Sequence, residues 1–229
     1  MIRRAIYAFA AILVSSLLAS CGGGGPEVSK YTFDLQEAWA NQFEQTGSVN
    51  FTLSGNILGI FVTGSGVLTR GPVAERSFES IAGFEKTTTI AGIITVNGIT
   101  EPLDDWFTEY FTASYMPLGR VDDSSYQAVT SWAPPPFDAK VGDAGPMFTM
   151  ESWDSASKLS YYGSVDISYA VAADSATSVL FKLINSTTDD LGYYTATSII
   201  TFRVTTTGAL TIVSETYQDA DGTMTVSYQ

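Results

Sequence analysis

The chain has 229 residues, a net charge of −13, one cysteine and no histidine. Its 45% apolar and 13% aromatic content is that of a folded body, and the acidic balance excludes binding to a phosphate backbone, which rests on Lys and Arg. The lack of histidine excludes the usual Ser-His-Asp and Cys-His nucleophiles and His-ligated zinc, and one cysteine allows no disulfide within the chain.

Arg3 and Arg4 precede an apolar run over residues 5–18, and Leu18, Ala19 and Ser20 lead directly into Cys21. A positive start, a short apolar core and small residues are the parts of a secretory signal. The run is shorter than the roughly 20 apolar residues a membrane helix needs. The stretch resembles a bacterial lipoprotein signal with its lipobox. That resemblance implies cleavage after residue 20, acylation of Cys21, and attachment to a membrane through the lipid. Gly22 stands where an aspartate holds such lipoproteins in the inner membrane, so the resemblance implies the outer membrane, with the body facing the periplasm or the surface. Residues 21–30, with glycine at 22–25, read as a flexible tether. Without Arg3 and Arg4 the remainder carries 24 acidic and 9 basic residues, a net charge of −15.

Residues 34–45 read as an amphipathic helix. Asp34 is placed to cap it, Glu37 follows three residues later, and Leu35, Ala38, Trp39 and Phe43 share one face. Gly47 is the expected stop. Period-two alternation then begins at Val49, Phe51 and Leu53 and continues over 57–62 and 66–69, with Thr63-Gly64-Ser65 as a turn or bulge. Strands are expected over 77–81, 86–96, 106–116 and 125–132. Asn97-Gly98 is a hairpin signal, and Pro117-Leu118-Gly119 is the expected end of the strand over 106–116. Three prolines at 134–136 cannot join a sheet ladder and read as a stiff connector. In the second half, strands are expected over 146–153, 159–173, 177–184, 193–205, 210–217 and 223–228, separated by turns.

The fold class is therefore mainly β, an antiparallel meander forming an open barrel or curved sheets, with one N-terminal helix. The halves, 31–132 and 146–229, joined by 133–145, form either one domain or two. The layout is similar to that of the periplasmic lipoprotein carriers, open barrels around an apolar cavity; this resemblance implies a lipid or other apolar ligand.

Four acidic spots stand out: Asp104-Asp105, Asp122-Asp123, Asp189-Asp190, and Asp219 with Asp221; the three Asp-Asp pairs are expected at loop edges, as solvated surface. Asp219-Ala220-Asp221-Gly222 has part of a calcium-loop pattern, but the flanking helices and closing glutamate are missing, and Asp and Gly are ordinary turn residues. No metal, cofactor or catalytic residue is assigned, and Cys21, as the lipidation site, is the one functional residue read directly. Carboxylate pairs could serve glycoside hydrolysis, but no pattern holds two at the required separation, and no nucleophile motif is present. Trp106, Trp132 and Trp153 could form a glycan-stacking face, with Trp132 beside the prolines the expected exposed one. The expectation is a non-enzymatic envelope lipoprotein with a structural or interaction role. Its alternatives are apolar-ligand binding in the barrel and glycan binding or hydrolysis. Its partners are the membrane and either an apolar ligand or another envelope protein.

Overall fold

The computed structural model describes residues 28–229; Cys21 and the signal lie outside them. One helix and twelve strands follow in order: α1 (Leu35–Glu44), β1 (Gly47–Ile57), β2 (Ile60–Glu75), β3 (Phe84–Val96), β4 (Ile99–Phe111), β5 (Pro117–Asp122), β6 (Tyr126–Trp132), β7 (Ala144–Trp153), β8 (Tyr161–Ser175), β9 (Ser178–Thr188), β10 (Tyr194–Thr205), β11 (Leu210–Gln218) and β12 (Gly222–Tyr228). Each strand pairs antiparallel with the next, and β12 returns to β1 with Phe51 opposite Tyr228 and Ile57 opposite Gly222. The barrel is closed, and both halves of the sequence contribute to it.

The helix forms for local reasons. Asp34 accepts a hydrogen bond from the Glu37 amide at 2.9 Å, which satisfies a donor that a helix start leaves without a partner. The Glu37 side chain does not complete a reciprocal cap but lies against Gly208. Leu35, Ala38, Trp39 and Phe43 are all buried. They meet Phe111, Met147, Phe181 and Phe202 inside the barrel, and Phe43 and Phe111 stack with centroids 4.3 Å apart. The helix ends at Gln45 in extended backbone, ahead of Gly47, whose positive φ of 103° opens β1.

Four connections on one rim hold this helix and the segment before it. Trp39 Nε1 donates to Tyr115 O at 2.8 Å, and Asn41 Nδ2 to Gly208 O at 3.0 Å. Ser29 Oγ donates to Ala176 O at 2.8 Å. Phe33 and Ala139 exchange backbone hydrogen bonds, and the Leu35 amide donates to Pro136 O. The proline segment is thus a strap across the plugged rim, with Pro135 buried in it, rather than a spacer between separate bodies.

Several strand boundaries differ from the sequence expectation. Residues 63–65 continue β2 without a turn. Pro117 opens β5 instead of ending β4, and the reversal lies at 112–116. Residues 76–83 fold over the outer face of β4–β6, where Phe78 packs on Tyr110 and Tyr126; only Phe78 and Ile81 form a bridge there. β9 runs to Thr188, beyond the expected 184. Asn97 and Gly98 form the expected tight hairpin, with φ of 51° and 79° and Val96 opposite Ile99.

Outward positions on β1 and β12 are small and polar: Ser48, Asn50, Thr52, Ser54 and Asn56 on β1, and Thr223, Thr225 and Ser227 on β12. The outer face of β2–β4 also presents the exposed side chains of Val67, Ile93 and Trp106. No helix among the described residues is long and apolar enough to cross a membrane.

Trp39→Ala removes the largest side chain joining the plug to the wall. It is expected to lower stability by about 3–5 kcal/mol, whereas outward Thr52→Ala changes it by less than about 0.5 kcal/mol. Urea unfolding followed by circular dichroism measures both.

Candidate lumenal site

The plug identifies which strand positions face inward. Lys86 Nζ donates to Gln42 O at 2.9 Å, so Lys86 points into the lumen, and strand alternation then places its neighbours. On β3–β5 the register sets Lys86 opposite Glu109 and Glu109 opposite Arg120. Cross-strand neighbours have Cβ atoms about 5 Å apart, so these residues form a cation–anion–cation row across three strands. Arg70 on β2 lies nearby, opposite Thr88. On the far wall, Ser198 pairs with Tyr217 and Ile200 with Glu215. Tyr217 and Tyr228 donate to the two Glu215 carboxylate oxygens, at 2.5 and 3.4 Å.

These groups surround a space that is not filled. Glu109, Glu215, Tyr217, Ser198, Ile200, Met150 and Val226 all point inward yet retain accessible surface. The Arg120 side chain is 37% accessible, whereas Lys86, against the plug, is only 2% accessible. Inward residues are thus fully buried at the helix end and keep some accessible surface beyond it. Two recesses, of about 490 Å³ beside Arg76 and Phe84 and 340 Å³ beside Trp132 and Asp166, include none of the lumenal charges.

Burial disfavours the charged forms of Glu109, Glu215, Arg70 and Lys86. Burial pushes the Glu109 carboxyl above its ordinary range, and Arg120, Lys86 and Arg70 pull the other way. Burial likewise raises Glu215, opposed by its bond to Tyr217 and by Arg120. Burial, then the Glu215 charge, raises Tyr217 and Tyr228. Desolvation lowers Arg70 and brings Lys86 from 10.5 to about 8, with Glu109 opposing the shift and Arg70 adding to it.

The wall has unequal height. The β4–β5 ladder stops at Phe107 opposite Asp122, leaving residues 99–106 of β4 without a ladder on that side. Glu101, Pro102, Asp104 and Asp105 lie along this free edge, where proline and charge discourage pairing with another chain. Asp104-Asp105 is therefore an edge guard inside a strand rather than a loop pair. The taller wall curls on itself around Phe51, Leu53, Val62 and Leu68. Gly64 and Gly66 permit this, since a Cβ there would meet the Leu53 side chain at 3.0 Å and the Phe51 ring at 2.7 Å.

The other acidic spots are turns. Asp122 accepts from the amides of Ser124 and Ser125, Asp189 from those of Leu191 and Tyr193, and Asp219 from those of Asp221 and Gly222. Asp219 and Asp221 gather no third ligand, and no group of three or more metal-type side chains occurs among the described residues. Trp132 is half-buried on Trp39 and Phe148, while Trp106, on the outer face, is 40% exposed. The lumenal residues Arg70, Lys86, Glu109, Arg120 and Glu215 carried no sequence motif. A charge at an inward step of an alternating strand was the available signal.

The Lys86 shift has a definite sign. Its folded value, about 8, lies below 10.5, so between these values the unfolded chain binds more protons and stability rises with pH. Between pH 7.5 and 9.5 the urea midpoint of the wild type is expected to rise relative to that of Lys86→Met. Parallel midpoints at the two pH values would disprove it.

Comparison with protein families, curated proteins and solved structures finds no match, so the reading of this site rests on its geometry.

Proposed function

We propose that this protein is an envelope lipoprotein, anchored through Cys21 in the outer membrane, whose barrel holds an amphipathic ligand. The observation that carries the reading is the incompletely buried lumen: closed by α1 at one rim, charged across its middle, and lined by half-buried apolar side chains such as Ile200, Met150 and Val226. Ligand sites are concave and mostly apolar, with a few convergent polar groups. A purely structural barrel gains nothing from an unfilled interior or from buried ionised groups, which cost free energy to desolvate.

The anchor is compatible with this placement. Residues 29–33 are fastened at the plugged rim, so a tether from Cys21 joins the body there. The lower wall at β5–β6 lies toward the opposite rim. The acidic exterior repels anionic head groups, which limits membrane contact to the anchor.

Native mass spectrometry of the mature body, with Cys21→Ser and no denaturing step, is expected to show an added mass that solvent extraction removes. An apo mass alone would overturn the ligand reading in favour of an interaction role. In cell fractionation, Cys21→Ser is expected to move the protein from the membrane to the soluble periplasmic fraction; retention in the membrane would refute the anchor.

A further inference from the structure

We infer that the lumenal ligand is an amphiphile with one compact anionic head, a carboxylate or a phosphate, and that the guanidinium of Arg120 receives that head. The inference rests on the lumenal reading above and names its ligand class.

Arg120 is presented for binding rather than consumed by structure. Its guanidinium lies 4.0 Å from the centroid of the Phe107 ring, a contact that orients the plane while leaving the N–H edge free. Its one ion contact is Nε to Asp122 Oδ2 at 3.9 Å, too long for a hydrogen bond. Asp122 is meanwhile held by Ser124 and Ser125, through both amides and both hydroxyls. Arg120 Nε is buried with no hydrogen-bond partner, and Arg120 donates no hydrogen bond within the described chain. The rest of the side chain faces the hollow, 37% accessible.

The neighbouring charges are already committed. Glu215 accepts from two tyrosine hydroxyls, Lys86 donates to the plug, and Glu109 sits between two cations in register. What remains unmatched is a planar fork of N–H donors, and carboxylate or phosphate oxygens match such a fork in pairs. Beside it, Phe107 and Leu103 on β4 and Ile90 on β3 give an apolar wall for a chain. Arg120 also lies on the short strand β5, below the free edge of β4 where the wall is lowest.

The test uses cis-parinaric acid as a fluorescent carboxylate probe and the alcohol of the same chain as an uncharged control, with the mature Cys21→Ser protein after solvent extraction. The wild type is expected to bind the acid at least tenfold more tightly than the alcohol. Arg120→Gln should lose that preference. Arg120→Lys keeps the charge between Glu109 and Glu215 but removes the fork, and it should lose a large part of the preference while remaining folded by circular dichroism. It therefore decides the matter if Arg120→Gln does not fold. Equal binding of acid and alcohol by the wild type, or full acid affinity in a folded Arg120 variant, overturns the assignment and leaves the hollow lumen standing. Failure of both probes, with an apo mass in the native spectrum, removes the lumenal reading itself. Competition by oleate against oleoyl lysophosphatidate then distinguishes the heads: displacement by either supports the inference and identifies its chemistry, and displacement by neither counts against it.

Discussion

A barrel of twelve strands is too wide for its own side chains to fill. About eight strands is the width at which inward residues meet across the axis; beyond that, something else must occupy the interior or it stays open. Here α1 occupies one end. Its apolar face supplies Trp39 and Phe43 to a cluster that includes residues of β4 and β7–β11, and connections on that rim hold it in place. Helix, strap and N-terminal segment thus close one end. The same width that makes the plug necessary leaves the space beyond it unfilled.

The lumenal charges follow from this partial filling. In a fully packed core, Glu109 and Arg120 would lose their water and the cost would exceed their attraction. At the edge of a hollow they keep accessible surface, and register places them beside one another. Lys86 is the exception, because it lies against the plug and spends its charge on the carbonyl of Gln42. It ties wall to helix and is the lumenal lysine whose proton affinity falls furthest toward neutrality. An acidic, Ser- and Thr-rich surface encloses a lumen into which Arg70, Lys86 and Arg120 point together with Glu109, Glu215 and, by register, Asp105 and Asp122.

Much of the local structure was legible in the chain. The buried face of α1, its Asp34 cap and the Asn97-Gly98 hairpin depend on residues within a few positions of each other, and each forms as read. Pro117-Leu118-Gly119 was misread because proline also opens strands, where its missing N–H costs nothing. Asp104-Asp105 looked like a loop pair because nothing nearby shows that β5 is too short to cover that part of β4. Trp132 looked exposed because the adjoining prolines suggested a free connector, and the segment is instead the strap that packs the helix.

By itself, the sequence determined the strand period, most turns and the single helix with its buried face. These rest on local chemistry: backbone preference, capping and side-chain alternation. Closure of β12 on β1, the filled and hollow zones, and the meeting of Arg70, Lys86, Glu109, Arg120 and Glu215 were decided only by the tertiary structure. Alternation shows that a residue faces inward, but which inward residues meet depends on register between strands and on the circumference of the closed sheet. Those are properties of the whole chain, set when twelve strands must bury one face around one helix.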